Sequence, residues 1–124
     1  YNDVEKWEWL QKRVSTYREI NEKNWSEEFK SKSKQAYDRF AKEDIIMSVH
    51  ALSRLPRLNK PGIPEVSENG LMEFIHSFPN YREDGSKLIY FDLERQLLVI
   101  KNEETDEIVS VVRRKNPKEN WKNV

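Results

Sequence analysis

Three strand-forming runs decide the fold: Lys87-Leu-Ile-Tyr-Phe-Asp92, Gln96-Leu-Leu-Val-Ile-Lys101 and Glu107-Ile-Val-Ser-Val-Val-Arg-Arg114. All three are rich in the β-branched and aromatic residues that favour strands. The segments between them, 93–95 and 102–106, are short and polar, and connections of that length join neighbouring strands as hairpins. The sequence therefore predicts an antiparallel β-meander in the C-terminal half of the chain.

The N-terminal half has a helical character. No glycine precedes Gly62 and no proline precedes Pro56, and a long stretch without either residue favours helix. Apolar residues recur there at spacings of three and four, which predicts one buried helix face. That predicted face consists of Val4, Trp7, Leu10, Val14, Tyr17 and Ile20, with Asn2 or Asp3 as the helix cap.

Three more helices are predicted before the meander. One begins after Ser26, and one covers about 44–55, with Asp44 as its cap and Pro56 ending or kinking it. The last covers about 64–77, with a proline at its first position. The polar tail 116–124 is expected to be loosely ordered. The predicted fold class is α+β, with N-terminal helices packed on a small antiparallel sheet.

The charge of the chain is balanced only in sum. The 124 residues carry 22 basic and 22 acidic side chains, which argues against broad coating of nucleic acid. The segment 83–107, however, has three basic and eight acidic residues, whereas 108–124 has five basic and one acidic. A compact site that recognises one structured RNA is compatible with that distribution.

Cysteine is absent, which excludes disulfides, thiol nucleophiles and cysteine-based zinc sites. With only His50 and His76, a multi-histidine metal site is not expected, and no metal or cofactor is predicted. No apolar run is long enough to span a bilayer, and no signal peptide is visible. Because the chain starts with Tyr1 rather than Met, it is expected to be a domain of a longer protein or a processed product.

The residues that could carry chemistry are His50, Arg54 and Arg57. A spacing of four and then three places them on one helix face if the helical turn continues past Pro56. Histidine can exchange a proton near neutral pH, and arginine stabilises the negative charge that develops on a phosphodiester. The alternative is an ordinary solvated helix surface, and taken alone these residues fit it better. His76 is expected to be a favourable cation at a helix end.

The last strand adds a second group of candidates. Alternation places Ser110 and Arg114 on one face of this strand and Arg113 on the other. A serine hydroxyl inside an apolar run needs a partner and could bond a phosphate oxygen. An unremarkable strand position explains Ser110 equally well.

This order of elements resembles the barnase–EndoU–colicin–RelE class of nucleases. The quoted pieces are His50-Ala-Leu-Ser-Arg54, Tyr90-Phe-Asp-Leu-Glu-Arg-Gln-Leu-Leu-Val-Ile100 and Ile108-Val-Ser-Val-Val-Arg113. Within that class the chain is most similar to C-terminal toxin domains of bacterial polymorphic and contact-dependent growth inhibition systems. The resemblance covers about 47–115 and does not extend to the N-terminal helices.

A chain of 124 residues suits one domain, predicted over 1–124 with a helical N-terminal region over 1–44, a core over 45–115 that the resemblance makes catalytic, and a tail over 116–124. The resemblance implies a metal-independent ribonuclease that cleaves tRNA, with a cognate immunity protein as partner. The domain would be a monomer when free, delivered by secretion or from the cell surface to the target-cell cytoplasm. The implied roles are His50 as general acid or base; Arg54, Ser110, Arg113 and Arg114 as catalytic partners; and Arg57 and Lys115 as substrate ligands.

Two alternatives stay open. The first is a non-catalytic module of the same fold that binds RNA or a protein, with Trp7, Trp9 and Trp25 as a docking patch. Trp9 is the best candidate for that patch, although packing against the second helix is the favoured explanation of it. The second is an immunity protein whose acidic turns mimic nucleic acid, and the basic last strand counts against it.

Overall fold

The computed structural model describes residues 3–124 as four α-helices and six strands, with a one-turn 3-10 helix over Leu55–Arg57. The helices are α1 (Asp3–Glu22), α2 (Glu27–Lys42), α3 (Val49–Arg54) and α4 (Glu68–His76). The strands are β1 (Ile46–Met47), β2 (Tyr81–Glu83), β3 (Lys87–Asp92), β4 (Leu97–Asn102), β5 (Glu107–Arg113) and β6 (Lys122–Asn123). The predicted α+β class is confirmed.

One six-stranded sheet has the order β1-β5-β4-β3-β2-β6. The predicted meander is confirmed, since β3, β4 and β5 are consecutive antiparallel neighbours. The sheet as a whole is mixed rather than antiparallel, because β1 pairs in parallel with the start of β5. A bulge interrupts the ladder, because Lys101 pairs with Ile108 but Ile100 pairs with Ser110, so that Val109 is the extra residue.

The third predicted helix begins later than expected. Asp44 does not cap it but adopts a left-handed conformation, with φ of 60°. Ile46 and Met47 then form β1, and Ser48 is the cap, since its Oγ accepts the Ala51 amide at 3.0 Å. Local pattern could not show this because β1 exists only through pairing with β5, which is distant in sequence.

The remaining helix boundaries follow their caps. Ser26 begins α2 as predicted, with its Oγ accepting the Phe29 amide at 3.1 Å. The prediction that α4 begins at Pro64 is wrong, since Ser67 caps this helix and accepts the Gly70 amide at 3.0 Å. Pro56 lies in the 3-10 turn that directly continues α3, so the helical path changes its winding there without stopping.

The helix α1 packs differently from the prediction. Ile20 is fully buried and Tyr17 partly so, but Val4, Trp7, Leu10 and Val14 are exposed. Asp3 is the first residue of α1, and Asn2, the other predicted cap, lies outside the described residues. Only the C-terminal part of the expected apolar stripe therefore faces the body of the protein.

Apolar side chains cover both faces of the sheet. The larger cluster joins α2, α3 and α4 to one face and includes Phe40, Leu52, Leu71, Val99 and Val111. The smaller cluster is on the other face and consists of Ile89, Phe91, Leu98 and Trp121.

The tail is not loosely ordered as expected. Trp121 is buried, and its Nε1 donates to Glu83 Oε2 at 2.9 Å. The next two residues form β6, which pairs with β2. The tail thus covers the sheet face opposite the helices.

Candidate functional site

The outer edge of α3 carries the first candidates. Ser48 fixes the start of this helix to β5, donating its amide to the Ile108 carbonyl at 2.9 Å and its hydroxyl to the Val109 carbonyl at 3.3 Å. Val49, Ala51 and Leu52 are buried beneath the helix. His50 is exposed and Arg54 partly exposed on the remaining side, so the predicted common face of these two residues is present.

Arg57 extends this edge by one further turn. It ends the 3-10 helix three residues after Arg54 and is exposed. In a 3-10 turn, residues three apart are stacked on one side. We define the cationic edge as His50, Arg54 and Arg57.

The side chains of the cationic edge have no partners within residues 3–124. No hydrogen bond or ion pair of that stretch of the chain engages the His50 imidazole or the guanidinium groups of Arg54 and Arg57. The His50 backbone carbonyl accepts the Ser53 hydroxyl at 2.6 Å, which leaves the imidazole unengaged. Three side chains able to bind or protonate a phosphate are thus free to meet a ligand.

Arg113 is occupied by the protein itself. Its Nε donates to the Leu58 carbonyl at 3.0 Å, and Nη2 donates to the Pro64 carbonyl at 2.7 Å and to Asn59 Oδ1 at 3.2 Å. Its Nη1 donates to the carbonyl of Arg95. Arg113 therefore holds the loop that follows the cationic edge, and it is a positioning residue in this structure.

Burial and a neighbouring charge both act on Arg113. Burial lowers the pKa of its guanidinium below the ordinary value, and the positive charge of Arg95 lowers it further. Arg95 is itself paired, with its Nε 2.7 Å from Asp92 Oδ2. Four accepting oxygens of the protein stabilise the Arg113 charge.

Ser110 and Arg114 lie on the opposite face of the sheet. Ser110 pairs with Ile100, which packs against the smaller apolar cluster. The Arg114 guanidinium is 5.9 Å from the Trp121 ring centre, and its Nε donates to the Asn116 carbonyl at 2.6 Å. Directly paired strand residues share a face, so the sheet separates both residues from the cationic edge, and the predicted single site with Ser110 is not formed.

Lys115 is exposed directly after β5. Because Arg113 bonds to Leu58, the end of β5 and the end of the 3-10 helix are at the same end of the molecule. Lys115 therefore lies at the end of the molecule where the cationic edge ends.

Asn59 and Arg95 are structural residues that the sequence did not single out. The Asn59 side chain bonds the Val66 backbone twice, through Nδ2 to the carbonyl at 3.1 Å and through Oδ1 to the amide at 2.9 Å. The Arg95 guanidinium lies 5.2 Å from the Phe74 ring centre. A lone Asn in a Pro/Gly-bearing loop is the only available signal, and it indicates a turn rather than a clamp.

A cavity of about 530 Å³ lies elsewhere in the described chain. It is open to one side and lies between α2, the end of α3 and the start of α4, with Phe29, Leu55 and Leu71 in its wall. Ser33 is 3% exposed in that wall, and its hydroxyl has no partner within residues 3–124. His50 and Arg54 do not line this cavity.

Two further findings concern residues 3–124. None of their helices is long and apolar enough to cross a membrane, and no group of three or more His, Asp and Glu side chains among them could hold a metal ion.

Comparison of the chain with protein-family models, with curated proteins and with solved structures gave no match.

Proposed function

We propose that the chain is a metal-independent ribonuclease domain of a bacterial toxin that cleaves RNA, and tRNA in particular. The observation that supports this most is the cationic edge, where exposed His50, partly exposed Arg54 and exposed Arg57 follow one helical edge without intramolecular partners within residues 3–124. Free arginines adjoining a free histidine provide phosphate recognition and proton transfer together. The resemblance of 47–115 to the nuclease class points to the same chemistry.

The proposed reaction uses the nucleophile that RNA contains. His50 accepts the proton of a 2′-hydroxyl while its oxygen forms a bond to the adjacent phosphorus. The bond from phosphorus to the 5′ oxygen breaks, and that oxygen takes up a proton from the imidazolium or from water. Arg54 stabilises the charge on the phosphate oxygens during this step. The products are a 2′,3′-cyclic phosphate and a 5′-hydroxyl.

The remaining residues take supporting roles in this proposal. Arg57 and Lys115, which lie at the same end of the molecule, bind phosphates next to the cleaved one. Arg113 positions the loop next to Arg57 and is not assigned to the substrate. Ser110 and Arg114, for which the resemblance implied catalytic roles, are not assigned to the reaction because they lie across the sheet.

The wider biology belongs to the same proposal. A cognate immunity protein would cover the cationic edge in the producing cell, where free nuclease activity is harmful. Delivery within a larger secreted or surface-displayed protein would bring the domain to the target-cell cytoplasm. Binding of a tight partner that leaves RNA uncut when added in equimolar amount would support this.

A non-catalytic RNA-binding module is the second candidate. It is favoured by the position of His50 on an exposed helix edge outside the cavity, since active sites usually exclude water. This candidate predicts that RNA is retained at the cationic edge but not cut.

One assay separates the two candidates. Purified protein is incubated with total tRNA in EDTA, and cut ends are mapped for the wild type, His50→Ala and the matched control His76→Ala, which changes the exposed histidine at the end of α4. We expect cleavage in EDTA, a loss of about 10²-fold or more in His50→Ala, and wild-type activity in His76→Ala. Cleavage that vanishes in EDTA or survives loss of His50 would contradict the mechanism, and retention without cut ends would support the second candidate.

A further inference from the structure

The N-terminal half of α1 extends away from the body of the protein. Every residue from Asp3 to Gln11 is exposed. The helix is attached further along, where Arg13 donates to Asp38 at 2.8 and 2.9 Å and Tyr17 donates to Asp38 at 2.6 Å. A helical segment with no buried side chain gains little from tertiary packing, and short helices are marginal without it.

This exposed segment is nevertheless apolar along one side. We define the outer stripe as Val4, Trp7, Leu10 and Val14, which are 64%, 62%, 45% and 54% exposed. Their spacings of three, three and four place them in one line along the helix. Successive residues of a helix are rotated by about 100° around its axis. On that basis the outer stripe faces a different direction from Ile20, which is buried against the body. A contiguous apolar surface of this kind on a soluble domain marks an interaction site.

The charges at the ends of the outer stripe indicate what covers it. Asp3 precedes the stripe and Arg18 follows it, both exposed and on the same side of α1 as the stripe. No hydrogen bond or ion pair within the described chain engages either side chain. The two are separated by 15 positions, or about 22 Å along the helix axis.

A two-fold interface must be self-complementary, so each feature has to match its counterpart at the symmetry-related position. If two copies of α1 lie antiparallel, Asp3 of each copy lies next to Arg18 of the other, which gives two ion pairs. The same arrangement places Trp7 of one copy next to Val14 of the other, so the apolar residues are covered together. A parallel arrangement would instead place Asp3 next to Asp3 and leave Arg18 without a partner.

We propose that the outer stripe binds a second copy of this chain through an antiparallel pairing of the two α1 helices. A short helix pair is smaller than a standard stable interface of about 800 Å² per partner. The dimer is therefore concentration-dependent. The monomer expected from the sequence is then the dilute form.

The test is sedimentation equilibrium of the full chain over rising concentrations. Trp7→Glu is expected to weaken the dimer on the order of 100-fold, because it places a charge in the apolar centre. Asp3→Arg alone and Arg18→Asp alone each reverse two contacts and are expected to weaken it about tenfold. All of these positions are exposed, so circular dichroism should report unchanged folding.

Two combinations of the charge reversals test the antiparallel arrangement itself. The double variant D3R/R18D and an equimolar mixture of the two single variants both restore opposite charges at every contact, so both should regain wild-type association. Glu28→Lys, on α2 rather than on α1, is the charge-reversal control and should leave association unchanged. A wild type that stays monomeric throughout would overturn the proposal, as would a dimer indifferent to Trp7→Glu or single reversals that the combinations do not rescue.

Discussion

Arg113 and Leu58 join the last strand of the meander to the turn that ends the cationic edge, through the 3.0 Å bond from Arg113 Nε to the Leu58 carbonyl. Further bonds from the same guanidinium reach Asn59 and Pro64. Arg113, for which the resemblance implied a catalytic role, therefore shapes the loop beside the proposed site. An arginine with four protein acceptors has little capacity left for a ligand.

Arg113→Lys should destabilise the protein and loosen this loop. Lysine keeps the charge but cannot reproduce the planar fork of donors, so we expect the free energy of unfolding to fall by about 1–3 kcal/mol. Urea unfolding measures the loss, and amide exchange at Asn59–Val66 locates it. Arg114→Lys is the control on the opposite face and should leave exchange in this loop unchanged. Equal protection of the loop in both variants would contradict the positioning role.

Arg54→Ala and Ser110→Ala should differ sharply in RNA cleavage. The sheet separates Ser110 from the cationic edge, so Ser110→Ala should retain activity within about twofold. Arg54→Ala should lose about 10²-fold or more, since it removes stabilisation of developing phosphate charge. Initial rates on tRNA under single-turnover conditions measure both. A large loss in Ser110→Ala would instead favour a site on the opposite face of the sheet.

Trp121→Ala should be among the most destabilising single changes. Trp121 is 7% exposed, contacts Tyr81 and Phe91, and bonds Glu83. Removing such a ring leaves a cavity and unpairs Glu83, for a cost of about 3–5 kcal/mol. Thermal or urea unfolding is the measurement. Trp7→Ala is the matched control at an exposed position, expected to change stability by about 0.5 kcal/mol or less at low protein concentration.

Asp38 should make stability depend on acid pH. The hydrogen bond from Arg13 lowers the pKa of the Asp38 carboxyl below its ordinary value, and Tyr17 lowers it further. A group whose pKa is lowered on folding stabilises the protein above its unfolded pKa, about 4. That contribution is lost as pH falls through the lower folded value. The free energy of unfolding of the wild type should therefore exceed that of Asp38→Asn at neutral pH, and the two values should converge in acid.

The measurement for Asp38 is urea unfolding across the acid range. Asp84→Asn, at an exposed turn, is the control. Its free energy of unfolding should change with pH in the same way as that of the wild type. If the difference in free energy of unfolding between wild type and Asp38→Asn stayed constant down to strongly acid pH, the bond between Arg13 and Asp38 would not depend on ionisation.

Tyr17 should make stability depend on alkaline pH. Burial, together with the bond to Asp38, raises the pKa of its hydroxyl to about 12. A raised pKa stabilises the folded state below the unfolded value of about 10, and the contribution is lost as pH rises through the folded one. Thermal midpoints should thus fall between about pH 10 and about 12 by more in the wild type than in Tyr17→Phe. Identical alkaline profiles would contradict this.

The elements of the fold that were predictable are those with short-range signals. The meander followed from strand composition and short polar connections, and the β3 bounds, Lys87–Asp92, agree with the prediction. The strand β1 and the tail strand β6 could not be predicted, since each has two residues and exists only through a distant partner. The stripe in α1 was predictable as a helix face, but periodicity does not say whether the body or another surface covers it.

The candidate site was predictable only in part for the same reason. The spacing of His50 and Arg54 gave their common face directly. Alternation correctly placed Ser110 and Arg113 on different faces of β5 but did not say which face meets the helices. That assignment comes from register, since Ser110 pairs with Ile100 and Arg113 with Leu97. The use of Arg113 as a clamp depends on a loop that lies 49 to 55 positions earlier in the chain.

The pairing of β6 with β2 has a consequence for solubility. Without it, β2 would be an open sheet edge, and unpaired strand edges recruit other chains into aggregates. The strand β6 covers that edge with only two residues, one of them the exposed Lys122, and so presents a short and charged end instead. Trimming the last four residues would remove both β6 and the Trp121 anchor, and the shortened protein should aggregate by edge-to-edge strand addition before it loses its helices.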